Sequence, residues 1–207
     1  MTLSWRFDGS DALCAVGPGW NDFAQANGGE QCVPAPIGTS LDSIIGDREL
    51  SALWAAILSS ARSRAGQTLA VGFRCDAPAM RRTVRADILS ADGERVEITS
   101  QVVAEQARPT VAILDPSIGE RAGEAIRICG WCAKVRVDRW VEVEVAVRDL
   151  ALDDGGRLPP VSHGICEECV IAVTTELGLT PGLPGGVGAA RRSVSSTLLP
   201  EAARRTS

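Results

Sequence analysis

Asp47-Arg48-Glu49-Leu50-Ser51-Ala52-Leu53-Trp54-Ala55-Ala56-Ile57-Leu58-Ser59-Ser60-Ala61-Arg62-Ser63-Arg64-Ala65-Gly66 reads as a helix with one wet side and one dry side. Leu50, Leu53, Trp54, Ile57, Leu58 and Ala61 recur at three- and four-residue steps, which places them on a single apolar stripe. Asp47 suits the N-cap, Arg62 and Arg64 complement the negative end of the helix dipole, and Gly66 can end the helix. Such a stripe must be buried against another layer. The sequence on either side supplies strands for that layer.

Toward the C-terminus three alternating runs follow: Leu69, Val71 and Phe73; then Val84, Ala86 and Ile88; then Val96, Ile98, Ser100 and Val102. Asp92-Gly93 is a turn signal that joins the last two as a hairpin. Toward the N-terminus, Leu3, Trp5 and Phe7 alternate with polar residues. Asp8-Gly9-Ser10-Asp11 turns the chain, and residues 12–16 return as a second strand. Trp20 to Ala26 reads as a short helix closed by Gly28-Gly29, and 30–43 is rich in Pro, Gly and Ser and reads as irregular. Short loops between successive strands imply antiparallel pairing. The expected fold class is therefore α+β, a five-stranded antiparallel sheet with helices on one face, over residues 1–115.

Behind it stands a cysteine constellation. Cys129-Gly130-Trp131-Cys132 is followed, after 33 residues, by Cys166-Glu167-Glu168-Cys169. Two cysteines three apart on a tight turn aim both sulfurs at one point, and two such turns complete a tetrahedron. Zinc accepts that geometry without electronic preference and thiolates suit it; a four-cysteine iron site is the rival. Four protein ligands leave no open position, so the expected zinc is structural. The module is expected over 126–173, after a connector at 104–125 carrying the apolar patch Val111 to Leu114. His163, the sole histidine, is expected to hydrogen-bond a thiolate or a backbone group, with a role as replacement ligand as the sharper alternative. Residues 140–150 fit strand alternation at Val141, Val143, Val145 and Val147, and also near-helical spacing at Trp140, Val143, Val147 and Leu150; both readings stay open. Residues 176–207 are small, polar and interrupted by Pro and Gly, and read as a disordered tail. Cys14, Cys32 and Cys75 read as small buried apolar residues.

Composition narrows the function classes. The net charge of −5 argues against a nucleic-acid protein, and acidic residues also outnumber basic ones around the cysteines. The N-terminal residues lack the basic-then-apolar pattern of a signal peptide, and no apolar stretch is long enough to span a membrane. The expected location is the cytoplasm, where seven cysteines point to metal binding or thiol chemistry rather than disulfides.

Trp5 to Val16, Trp20-Asn21-Asp22-Phe23-Ala24, and Phe73-Arg74-Cys75-Asp76-Ala77-Pro78 with Arg81-Arg82 resemble a bacterial PAS-like domain family. The segment from Cys129 through Trp140 to Ser162-His163-Gly164-Ile165-Cys166 and Cys169 is similar to one found behind PAS domains in some bacterial signalling proteins. The resemblance covers about residues 1–172 and implies a sensing or protein-interaction role. It raises haem and flavin as cofactors, and the residues point to neither. His163 lies outside the PAS-like segment, and Cys75 sits in Phe-Arg-Cys-Asp rather than the Asn-Cys-Arg-Phe context of flavin photosensors.

The expected function is thus a non-enzymatic sensor or adaptor, because no Ser-His-Asp set, phosphate loop or paired acid motif is present. Trp54, Phe73 and Arg74 are its candidate pocket residues, with core packing for the first two and solvated surface for Arg74 as the plainer readings. A protein partner or self-association is expected, a small-molecule ligand is a further candidate, and neither nucleic acid nor membrane is expected. The alternatives are a zinc-ribbon regulator that binds nucleic acid through Arg127, Lys134, Arg136 and Arg139, and a thiol redox switch.

Overall fold

A computed structural model describes residues 2–27, 29–119, 121–152 and 157–179. Its first half is built on the stripe quoted above. Helix α3 (Arg48–Ser63) starts where Asp47 accepts a hydrogen bond from the Leu50 N–H at 2.9 Å. Leu53, Ile57, Leu58 and Ala61 are fully buried on one face. Each large side chain so buried contributes roughly 1.5–3 kcal/mol. The layer beneath is a five-stranded antiparallel sheet of β1 (Thr2–Phe7), β2 (Leu13–Val16), β3 (Leu69–Arg74), β4 (Met80–Leu89) and β5 (Val96–Ala107). Its spatial order is β2-β1-β5-β4-β3, so the N-terminal strand lies inside the sheet, between β2 and the central β5. The expected α+β class and five-stranded sheet are therefore present.

Two short helices precede α3. Helix α1 (Trp20–Ala26) is where the sequence placed one. Helix α2 (Leu41–Ile45) lies at the end of the stretch expected to be irregular, capped by Ser40, whose hydroxyl accepts from the Ser43 N–H. Strand β5 runs on to Ala107, so the expected connector begins as sheet.

The second half forms a smaller mixed sheet, order β8-β7-β6-β9, from β6 (Ile126–Cys129), β7 (Val135–Arg136), β8 (Trp140–Val141) and β9 (Val161–Gly164). Both readings of 140–150 hold in part: β8 gives way to helix α4 (Val143–Asp149), which buries Val143, Ala146 and Val147. Helix α5 (Glu167–Glu176) closes the described chain.

Packing does not follow the expected division at 115–126. Val111 and Ile113 from the connector pack with Ile128, Val135, Val141, Val143, Ala146, Val147 and Leu158 in one core. Cys129, Trp131, Cys166, Cys169, Val173 and Leu177 pack instead in the larger core, with α3 and the first sheet. The cause is strand parity: along β6, Ile128 and Cys129 point to opposite faces, each into a different core. The cysteine segment therefore does not pack as a body of its own. The expected tail begins inside the packed chain, with Leu177 buried and Leu179 against the same core; its remainder, 180–207, lies outside the described residues.

Ion pairs tie the halves together as well. Arg108 and Asp76, with side chains 4% and 2% exposed, pair at 3.0 Å. Arg108 and Arg81 both reach Glu144, and Arg74 reaches Glu142, at the start of α4. No helix among the described residues is long and apolar enough to cross a membrane.

Candidate metal centre

The first Cys-x2-Cys turn joins β6 to β7. The Ala133 N–H donates to the Cys129 carbonyl at 2.9 Å and the Cys129 N–H to the Lys134 carbonyl at 2.8 Å, which folds the four residues tightly. Ala133 takes a positive φ of 60° to close the turn. Gly130 has a specific reason to be glycine: a Cβ there would stand 2.8 Å from Cδ2 of Leu50 on α3. The turn can therefore lie against that helix.

The second pair is brought in by parallel pairing of β6 with β9, in which Cys129 is opposite Gly164. Two residues later Cys166 is the N-cap of α5, and Cys169 is in its first turn. The ligating atoms of Cys129, Cys132, Cys166 and Cys169 all lie within 4.8 Å of one another. The Cys132 and Cys166 sulfurs are 3.8 Å apart. A regular tetrahedron with metal–sulfur bonds of about 2.3 Å has sulfur–sulfur edges of about 3.8 Å. All four cysteines are free, so no disulfide accounts for the cluster.

Charge favours a cation at this point. The neighbouring Cys132 and Cys169 side chains pull the Cys129 thiol far below the ordinary range, and the Cys166 backbone N–H, which reaches its sulfur at 3.4 Å, adds to this. The hydrogen bond to Cys129 in turn pushes the Cys132 thiol up to about 12, and Cys129 and then Cys132 push Cys169 well above its usual value. Four sulfurs this close would repel one another as thiolates, and a positive ion among them offsets that repulsion. The positive end of α5 adds to that field. A soft, all-sulfur tetrahedral set fits zinc, and equally the single-iron site.

His163 is exposed on β9, opposite Ile128. Among the described residues its ring has no hydrogen bond to any of the four thiols. The first turn of α5 is instead held by Lys134 to Glu168 at 2.8 Å and by the Trp140 Nε1–H to Glu167 at 3.1 Å.

Trp131 carries the first turn into the main core. It is 6% exposed, with its ring 5.5 Å from Trp54 and 5.6 Å from Phe73. Its carbonyl accepts from the Arg74 N–H at 2.8 Å, extending β3 onto the cysteine turn. Beside this aromatic cluster lies a cavity of about 480 Å³ between the sheet and the helices, lined mainly by apolar groups that include Trp5, Trp20, Phe23, Trp54, Phe73 and Gly130.

Trp54 and Phe73 thus line a cavity as expected, and Arg74 does not. Next to Phe73 on β3, it faces the other way and pairs with Asp76 and Glu142. The cavity's cation is Arg82, whose Nε donates to Glu105 and whose Nη1 donates to Asn27. Residue parity along β4 was the signal for it: Arg82 shares a face with Val84, which also lines the cavity. Cys14 and Cys32 are half-buried and Cys75 is exposed, which corrects the reading of all three as buried; Cys32 and Cys75 lie at the cavity.

Comparison with known proteins returned no match to a family model, a curated protein or a solved structure.

Proposed function

We propose that this protein is a non-enzymatic, PAS-like sensor or adaptor of the bacterial signalling type, whose C-terminal half is held by one structural zinc on Cys129, Cys132, Cys166 and Cys169. The observation that carries the zinc reading is the convergence of four sulfurs within 4.8 Å of one another, two from each Cys-x2-Cys pair. Bound there, the ion would neutralise thiolate charge and lock β6, β9 and α5 together; with four protein ligands it would have no position for substrate.

The sensor reading is supported by the element order and by the cavity. Two strands, short helices, one long helix and three strands follow in the order that the PAS resemblance implies. A cavity of about 480 Å³, mostly apolar with a few polar groups, falls in the usual range of small-molecule sites. Nucleic-acid binding finds less support, because Arg127 pairs with Asp47 and Glu49, Lys134 with Glu168, and Arg136 with Glu167. Those cations are already matched by acids.

Native mass spectrometry of the purified protein tests the reading in one measurement. The expected result is one zinc per chain under reducing conditions, together with a bound small molecule or a defined assembly. Iron in the site, or a folded reduced chain that takes up no metal, would refute the zinc reading. A metal-loaded monomer that takes up neither small molecule nor protein partner would refute the sensor.

A further inference from the structure

The cysteine turn and the cavity share a wall. Gly130 stands between two of the four cysteines and also lines the cavity. Trp131, the next residue, rests on Trp54 and Phe73, both of which line it too. A glycine without a Cβ, pressed on Leu50, and a buried indole leave the turn little room to move independently of those neighbours. A change in sulfur positions of a few tenths of an ångström must therefore be passed to the cavity lining.

The lining also indicates what fits. Its surface is largely aromatic and aliphatic, and its polar groups are few: Asn27, Arg82, Ser100 and Gln101. Arg82 has guanidinium hydrogens beyond those given to Glu105 and Asn27, so a polar end reaching it would accept a hydrogen bond. We propose that the cavity binds an apolar molecule with one hydrogen-bond-accepting end, and that its occupancy is coupled to the metal–sulfur geometry through Gly130 and Trp131. This rests on the four-cysteine metal reading above. The coupling is reciprocal, as any linkage between two binding sites must be.

The test compares folded, metal-loaded proteins only, so that simple loss of fold cannot imitate coupling. The probe is 1-decanol, followed by tryptophan fluorescence and calorimetry on the zinc-loaded and the cadmium-loaded chain. Cadmium is a larger ion for the same four sulfurs. The expected result is saturable binding of one decanol, with affinities that differ about fivefold or more between the two metals. Decanol should also shift the sulfur-to-metal charge-transfer bands of the cobalt-loaded protein. Trp131→Leu removes the ring that joins the cysteine turn to Trp54 and Phe73 and changes no residue of the lining, so it should retain metal and decanol while the metal dependence of decanol affinity collapses. Equal decanol affinities with an unmoved cobalt spectrum would overturn the coupling, as would full coupling in Trp131→Leu. Metal-loaded protein that binds no decanol would overturn the ligand class. A chain that takes up no metal would overturn the zinc reading first, and the coupling with it.

Discussion

Replacing Cys166 with serine should unfold the whole chain rather than its C-terminal segment. Cys166 is completely buried in the larger core, and its backbone N–H serves the Cys129 sulfur. Structural zinc contributes roughly 10–16 kcal/mol of apparent folding free energy in small metal-held peptides. A domain's entire stability is about 5–15 kcal/mol. Removing one of four thiolates takes away a large share of the first quantity, and here it is drawn from a core shared with α3 and the five-stranded sheet. Trp131 would lose its fixed position against Trp54 of α3, and Val173 and Leu177 theirs in the larger core, along with the sulfurs. The assay is chemical unfolding of wild type and Cys166→Ser, followed separately by far-ultraviolet circular dichroism and by amide exchange on β1, β4 and β5. The expected result is loss of the cooperative transition at every probe, and the same loss when a strong chelator strips wild-type protein under reducing conditions. A variant in which the five strands keep wild-type protection while only 126–173 exchanges freely would refute the shared-core reasoning.

Other changes should be smaller and more local. Arg108→Met leaves the buried Asp76 carboxylate with only part of its partners, and a urea titration should give a loss of about 3 kcal/mol, the low end for breaking one side of a buried pair. Asp47→Ala removes both the cap on α3 and the partner of Arg127, and should cost about 1–2 kcal/mol in the same assay. Burial pushes the Glu144 carboxyl up, but the Arg81 hydrogen bond and the charges of Arg81 and Arg108 outweigh it, so its folded value lies below the ordinary 4.5. A depressed carboxylate stabilises the fold above its unfolded value and ceases to do so as pH falls through the folded one. The urea midpoint should therefore drop as pH is taken below about 4.5, and Glu144→Gln should make that drop shallower.

The sequence made some of this legible and hid the rest for physical reasons. The α3 stripe and the alternating runs were readable because each is a local period. The cysteine pairs were readable because ligand spacing is set by a single turn. The pocket expectation grouped Arg74 with Phe73 although neighbours on a strand face opposite ways, and it passed over Arg82, which parity places with Val84. Helix α2 was hidden because five residues beside Pro and Gly carry almost no periodic signal. Residues 140–150 kept two readings because Val141 ends a strand and Val143 begins a helix with no breaker between them. The shared core was the least visible feature. Trp131 meeting Trp54 is a contact between residues far apart in the chain, and nothing in either local pattern announces it.

The parallel pairing of β6 with β9 also orders events during synthesis. The first cysteine turn leaves the ribosome well before its partner strand, and the sulfurs it presents have no complete set to join until Cys169 has followed. The part of the larger core that Val173 and Leu177 complete stays wet until then as well. The N-terminal half of the nascent chain is thus committed to waiting for α5, and a ribosome stalled before residue 166 would hold an unfinished, sticky polypeptide with two orphan thiols.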